Sequence, residues 1–537
     1  MRSCTVAGAL ALVLSFARPS LALSATDLGA FALGGPSERA TLLGQWAAKG
    51  DTGLGAFLDG LENSEFWSTP QGRLLRSSDG AEFRDMTTDS VTRTAQPDWE
   101  QVVVSNVLRA GVEAARAAQK LSIVDPVQRL EAAKEIQDAD LDPTILPILE
   151  KTVRSETVPA IRILLERIVS KLALSSIDPA KRIEAARALG ASGDASNNLK
   201  LIEDRLGKDA DGALLENDST VRRSLGSVAA SLRVTVWLYE MAGHLFTGIS
   251  LGSILVLVAL GLAITYGLLG VINMAHGELV MIGAYTTYLV QGLFRHSFPQ
   301  SEGLYILVAI PSAFLASALV GILLERTILR HLYGRPLESL LATWGVSLVL
   351  IQSVRSLFGP QNVEVASPSW LSGSLVIQSN LVLPWNRLAI IAFAATILVT
   401  TALVLTRTRL GLFIRATTQN RTMARCVGVR TDRIDMLAFG LGSGLAGLAG
   451  VALSQIGNVG PDLGQGYIVD SFLVVVVGGV GQLAGSLWAG LGLGLLSKFL
   501  EPLAGAVLAK IALLVLIILF IQKRPQGLFA FKGRQAD

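Results

Sequence analysis

From Ala242 onward the chain is a succession of apolar runs of about 20 residues, the length that crosses a hydrocarbon core ~30 Å thick, divided by short polar segments. The runs fall at 242–269, 271–294, 303–324, 338–356, 386–406, 435–457, 467–482, 486–500 and 504–522. The eighth is short and glycine-rich, so nine spans, or eight with a broken or re-entrant element, fit the pattern equally. Before residue 235 the pattern is different: apolar positions recur at helical spacing among charged residues. In VQRLEAAKEIQ (127–137) they follow Asp125-Pro126, a cap and first-turn pair. The phrase returns 53 residues on: Asp125-Pro-Val-Gln-Arg-Leu-Glu-Ala-Ala-Lys against Asp178-Pro-Ala-Lys-Arg-Ile-Glu-Ala-Ala-Arg. A repeat of that length, built of helix pairs, suggests a small HEAT-like solenoid, offering either a docking surface or a spacer. Residues 61–100, rich in Ser, Thr and Asp, read as mostly loop. The fold expected is all-α: a polytopic membrane helical bundle of about 8–9 spans preceded by an extracytoplasmic α-helical domain.

Charge placement orients that bundle. Arg2, the apolar stretch Thr5–Phe16 and the small residues after Pro19 read as a secretory signal peptide over 1–24, with Ser20-Leu21-Ala22 as its cleavage box. Domains are then expected at 25–235 (periplasmic, helical), 240–525 (membrane) and 526–537 (cytoplasmic tail). Arg and Lys mark cytoplasmic loops. They crowd 406–433, occur in 325–337 and in the tail, and are absent from 356–385 and 457–466. Counting spans back puts residue 241 outside the cytoplasm, in agreement with the signal peptide.

Composition then removes several function classes. Of two cysteines, Cys4 lies in the expected leader, leaving Cys426 alone; with four His and no HExxH, neither a disulfide nor a metal site is expected. No GxxxxGK[ST] motif or GxSxG elbow occurs, so the chain neither cradles nucleotide nor acts as a serine hydrolase. No catalytic residue and no cofactor is expected. The arginines border a membrane without interleaved aromatics, which argues against nucleic acid.

Two stretches carry candidate function. In GVINMAHGE (270–278), Asn273, His276, Gly277 and Glu278 place polar groups inside a span, where they are costly unless they face a cavity or a partner. Asn273, His276 and Gly277 share a helix face while Glu278 points elsewhere; Gly267, Gly270 and Gly277 permit a break, as transporters use to present backbone to substrate. A translocation path and a buried packing clamp are both open. Asp470, Lys498, Glu501 and Lys510 are further charges in or beside spans, readable as capping or snorkelling groups. The second stretch is the basic loop 406–433. A short helix is expected over Arg415–Val427, ended by Gly428, with Gln419, Asn420 and Arg421 at an exposed tip and Ala416, Met423 and Ala424 packing into a partner. Merely setting topology is the other reading.

These stretches resemble the LivH-type permeases of the branched-chain amino acid ABC importers. VALGLAITYGLLGVINMAHGELVMIGAY (258–285) is similar to their second-span signature and GLFIRATTQNRTMARCVGV (411–429) to their ATPase-contacting loop; GLGSGLAGLAGVALS (440–454) and RPQGLF (524–529) also match. The resemblance covers about 240–530. It implies a non-enzymatic transport subunit in a bacterial inner membrane, paired with a LivM-like second permease, two cytoplasmic ATPases and a periplasmic substrate-binding protein. It assigns Arg415, Ala416, Gln419, Asn420, Arg421, Ala424 and Gly428 to coupling. A helical extension behind a signal peptide resembles the urea-transport (UrtB-type) branch, implying urea as substrate, with branched-chain amino acids as the alternative. A passive channel leaves the arginine loop idle, and a sensor lacks a cytoplasmic output domain.

Overall fold

Helices make up most of the chain, and the boundary between its two units falls after Thr235. The computed structural model describes residues 24–529 apart from 50–52, 79, 94–95, 122, 124, 139–145, 210–211, 271, 334 and 379. The expected leader and its cleavage box lie outside the described residues.

The first unit opens with α1 (Ala25–Leu33), α2 (Pro36–Lys49) and α3 (Leu54–Glu62). Phe31, Trp46, Phe57 and Phe66 form its aromatic core, with ring centroids 4.6–5.6 Å apart. Residues 61–100 are not mostly loop. They hold β1 (Phe66–Ser68), β2 (Leu74–Arg76), β3 (Phe83–Asp85), β4 (Val91–Thr92) and β5 (Glu100–Gln101), an antiparallel sheet in the order β4-β3-β2-β1-β5. Strands of two or three residues are too short for alternation to show; Phe66, Leu74 and Phe83 nonetheless bury.

Then come α4 (Asn106–Leu121), α5 (Pro126–Asp138), α6 (Leu146–Ser155), α7 (Pro159–Ala173), α8 (Pro179–Ala191), α9 (Ala195–Leu206) and the first turns of α10 (Ser219–Leu269). The repeated phrase opens α5 and α8. In each copy Asp accepts a backbone N–H two residues on, Val127 to Asp125 at 3.0 Å and Ala180 to Asp178 at 2.9 Å. In each, the following arginine donates back to a carbonyl ahead of its helix, Arg129 to Ile123 and Arg182 to Ser176. Each also reaches a buried glutamate ahead of a later helix: Arg129 to Glu156 before α7 at 3.0 Å, Arg182 to Glu216 before α10 at 2.9 Å. Ile161, Leu165 and Leu172 of α7 correspond to Val221, Leu225 and Leu232 of α10, all buried. The repeating unit is therefore three helices, not the expected pair. Its third member was hidden because the match there is one of buried positions, not of residue identities.

The second unit continues with the rest of α10, α11 (His276–Ser297), α12 (Tyr305–Thr327), α13 (Pro336–Phe358), the hairpin β6 (Ser374–Gln378) and β7 (Leu381–Pro384), α14 (Trp385–Arg407), α15 (Arg409–Gln419), α16 (Arg421–Cys426), α17 (Thr431–Ser454), α18 (Leu463–Gly478) and α19 (Leu483–Lys523). Six of these are long and apolar enough to cross a membrane: α10, α12, α13, α14, α17 and α19. The more polar α11 and the 16-residue α18 occupy two further expected runs. Helix α19 turns at Gly505 (φ 77°) after Pro502, so its two arms occupy the last two. Small residues set the packing: a Cβ on Gly252 of α10 would stand 2.8 Å from Leu491 Cα of α19, and one on Gly444 of α17 2.5 Å from the Phe314 ring of α12.

The Arg129 guanidinium, which hydrogen-bonds the Glu156 side chain, holds that carboxyl below the usual carboxylate range. Its stabilising contribution is complete above the ordinary value of about 4.3 and is lost as pH falls through the lower native value. Glu156→Gln should destabilise the first unit of the full chain by about 3 kcal/mol at neutral pH by removing the buried carboxylate that balances the Arg129 charge. Its deficit against wild type, read by thermal unfolding, should shrink toward acid pH and not toward alkaline pH. A constant deficit across pH 3–8 would show that ionisation of Glu156 is immaterial.

Candidate functional site

Between α10 and α11 the chain leaves the helical path at Gly270, whose φ of 65° is readily adopted without a side chain. Backbone freed inside an apolar bundle needs partners, and polar side chains supply them. Asn273 lies in the break rather than on the helix, and its Oδ1 accepts the Ala275 N–H at 3.1 Å. Thr343 of α13 accepts the Met274 N–H at 3.1 Å.

His276, Gly277 and Glu278, the first three residues of α11, meet three different helices. His276 donates from Nε2 to the Val258 carbonyl of α10 at 3.1 Å. Gly277 lies against α18, where a Cβ would stand 2.6 Å from the Gly464 carbonyl oxygen. Glu278 accepts from Ser347 of α13 at 2.6 Å. Asn273, His276 and Gly277 thus do not share a face as expected, because α11 starts only at His276. Asn273, His276 and Glu278 are fully buried, yet Asn273 Nδ2, His276 Nδ1 and Glu278 Oε2 have no hydrogen-bond partner among the described residues. Sequence reasoning missed Thr343 and Ser347. With buried Ser339 they form a hydroxyl at every fourth position of α13, a visible signal in a span.

A second break, 455–462, separates α17 from α18. The Gln455 carbonyl accepts from Asn386 at 3.0 Å, Gln455 Nε2 donates to Tyr305 at 3.0 Å, and Val363 and Val459 exchange backbone hydrogen bonds. Arg355 of α13 pairs with Asp462 at 2.7 Å. The Gly277–Gly464 contact joins the starts of the two helices that follow the breaks.

The basic loop is two helices, α15 and α16, rather than one over Arg415–Val427. Asn420 interrupts them in extended backbone and caps the second, accepting the Met423 N–H at 2.9 Å. Gly428 (φ 89°) ends it with Gly428 N–H to Arg425 O and Val429 N–H to Ala424 O. Arg415, Gln419 and Asn420 are exposed and Ala416 is half-buried. Arg421 is not at a free tip. It pairs with the buried Asp435 of α17 and lies 5.0 Å over the Tyr333 ring. Tyr333 donates to the buried Glu325 of α12 at 3.0 Å, burial keeping its hydroxyl protonated. Ala424 packs inward, whereas Met423 of α16 and Val427 just after it are exposed. Sequence spacing could not show this because Asp435 sits in the span beyond the loop. Arg326, Arg330, Arg430 and Arg433 join Arg421 and Arg425 around a cavity of about 650 Å³.

A family model described as the permease component of the branched-chain amino acid transport system matches residues 244–522, more than half of the chain. The permease BraD of the high-affinity branched-chain amino acid transport system of Pseudomonas aeruginosa is 29% identical over 297 residues, 54% of this chain and 96% of the relative. The corresponding LivH protein of Escherichia coli is 28% identical over 291 residues, 53% and 94% of the two chains. A probable LivH of Methanocaldococcus jannaschii is 25% identical, covering 51% and 88%. No solved structure matches significantly.

Gly464→Ala should force α11 and α18 apart, whereas Gly292→Ala, with open space around its Cβ, should be silent. Thermal unfolding in detergent is expected to fall for the first only; equal values would contradict the close approach. Arg421→Ala should cost about 3 kcal/mol by stranding the Asp435 carboxylate, and adding Asp435→Ala should recover most of it. Additive losses in that cycle would mean that the two do not act as a pair.

Proposed function

We propose, from the family to which this chain belongs, the permease components of branched-chain amino acid transport systems, that it is a translocating subunit of an ABC importer for branched-chain amino acids. The observation that carries this is a family match from 244 to 522, spanning every helix of the membrane unit from α11 to α18 and most of α10 and α19. Members of that family are transport components, not enzymes. The partners on this reading are a second permease, two ATPases and a substrate-binding protein. Urea, suggested by the N-terminal extension alone, draws no support from the relatives found.

Within this reading the two breaks line or brace the path. Asn273, His276 and Glu278 each keep a polar atom without a partner among the described residues, as groups facing a solvated path do. Gly277 lets the two helix starts meet. The charge pattern supports placing α15, α16 and the chain end in the cytoplasm and the N-terminal unit outside. The α15–α16 loop then couples the motor to the bundle: Met423 and Val427 offer apolar contact and the arginine-lined cavity suits an acidic surface on the ATPase. Ala424→Glu would disturb the loop's own packing, so the clean surface change is Val427→Glu.

The whole complex reconstituted in liposomes should import labelled leucine in response to ATP and not urea. Import of urea but not leucine would return the chain to the urea branch. Val427→Glu should keep assembly but lower substrate-stimulated ATP hydrolysis and uptake at least about tenfold. Full stimulation in an assembled Val427→Glu complex would reduce the loop to a topology signal.

A further inference from the structure

Four charged side chains in α18 and α19 are left over by the path and the loop: Asp470, Lys498, Glu501 and Lys510. Charges on membrane helices are costly unless they face protein or water, and all four line one cavity of about 720 Å³ between α10, α18 and the two arms of α19. The turn at Gly505 makes this possible, since it brings Lys498 and Glu501 of one arm and Lys510 of the other to the same space. The charges balance, two of each sign. Lys498 holds Glu501 firmly at 2.6 Å, whereas Lys510 stands 3.6 Å from Asp470, beyond good hydrogen-bond range. Much of the remaining wall is aliphatic, including Leu251, Leu255, Leu473, Leu493, Leu513 and Leu514.

We infer that this cavity is a binding site for an apolar α-amino acid in its zwitterionic form. The inference rests on the importer reading and says where its substrate is held. A zwitterion carries an ammonium and a carboxylate on one carbon. Inserted at the loose pair of half-buried Asp470 and exposed Lys510, it gives each side chain an opposite charge in place of the other. The aliphatic wall takes the side chain, and the volume falls in the range of small-molecule sites. Urea has neither charge and offers no replacement for the Asp470–Lys510 pair. A zwitterionic lipid headgroup presents the same two charges from another source.

The test uses the full complex without its binding protein in phosphatidylglycerol nanodiscs, with tritiated leucine as probe, alongside uptake in liposomes. Wild type should bind leucine with no competition from urea. Asp470→Asn and Lys510→Gln should each weaken binding about tenfold and slow uptake while leaving ATPase assembly intact. The exchange Asp470→Lys with Lys510→Asp, which preserves an ion pair, should not restore either. Unchanged binding and uptake in both single variants, full rescue by the exchange, absence of leucine binding by wild type, or displacement of leucine by phosphatidylethanolamine would each overturn the site. Failure of the wild-type complex to import any branched-chain amino acid would instead overturn the importer reading itself.

Discussion

Backbone polar groups inside an apolar bundle must find partners within the protein, and the two breaks of the candidate site answer to that demand. Two of the breaks in the helical path follow α10 and α17. Each break is stitched by side chains from helices distant in sequence, Thr343 at the first and Asn386 and Tyr305 at the second, with Asn273 adding a bond from within the first break itself. The breaks are not independent. Helix α13 serves both, its Thr343 and Ser347 at the first and its Arg355 at the second, and Gly277 and Gly464 bring the two following helices into backbone contact. A shift at one break therefore alters packing at the other.

That arrangement fixes what the intramembrane polar residues can be. Glu278 uses one carboxylate oxygen on Ser347 and keeps the other unpaired. His276 uses Nε2 on a backbone carbonyl and leaves Nδ1 without a partner among the described residues. A clamp alone would satisfy both ends of such groups, since an unmet buried polar atom costs about 1–3 kcal/mol. One end fixes the side chain and the other has no partner among the described residues, an arrangement that suits the path proposed for this motif. On that proposal the packing and transport readings are two ends of the same side chains.

The spans were legible because hydropathy over 20 residues is a strong signal, and even the turn at Gly505 showed as a gap between two apolar runs. The breaks were legible through Gly270 and the polar GVINMAHGE phrase. What the sequence hid was long-range pairing. Arg421 looks like a tip residue until Asp435, 14 positions on and inside a span, proves to be its partner. The five short strands were hidden for the opposite reason: two or three residues carry too little alternation, and only the sheet as a whole buries Phe66, Leu74 and Phe83. The three-helix repeat stood between these cases, half visible in Asp125 and Asp178 and half in the two buried glutamates that no local pattern marks.

The position of Asp435 bears on how force travels. It lies in the first turns of α17, the most enclosed span, with 83% of its apolar stretch buried against 17% for α14 and α19. Helix α17 packs on α10 at Gly442, on α11 at Gly447 and Gly450, and on α12 at Gly444. Gripped at Asp435 by Arg421, it cannot stay still if α16 moves, because breaking that pair would strand a buried carboxylate. A helix so tightly surrounded by close glycine contacts is not free to bend and instead shifts with its neighbours. Its far end is Gln455, where the second break begins. On the coupling role proposed for the loop, α17 is the element that joins it to the second break, and its small-residue face holds it in close contact with α10, α11 and α12 along the way.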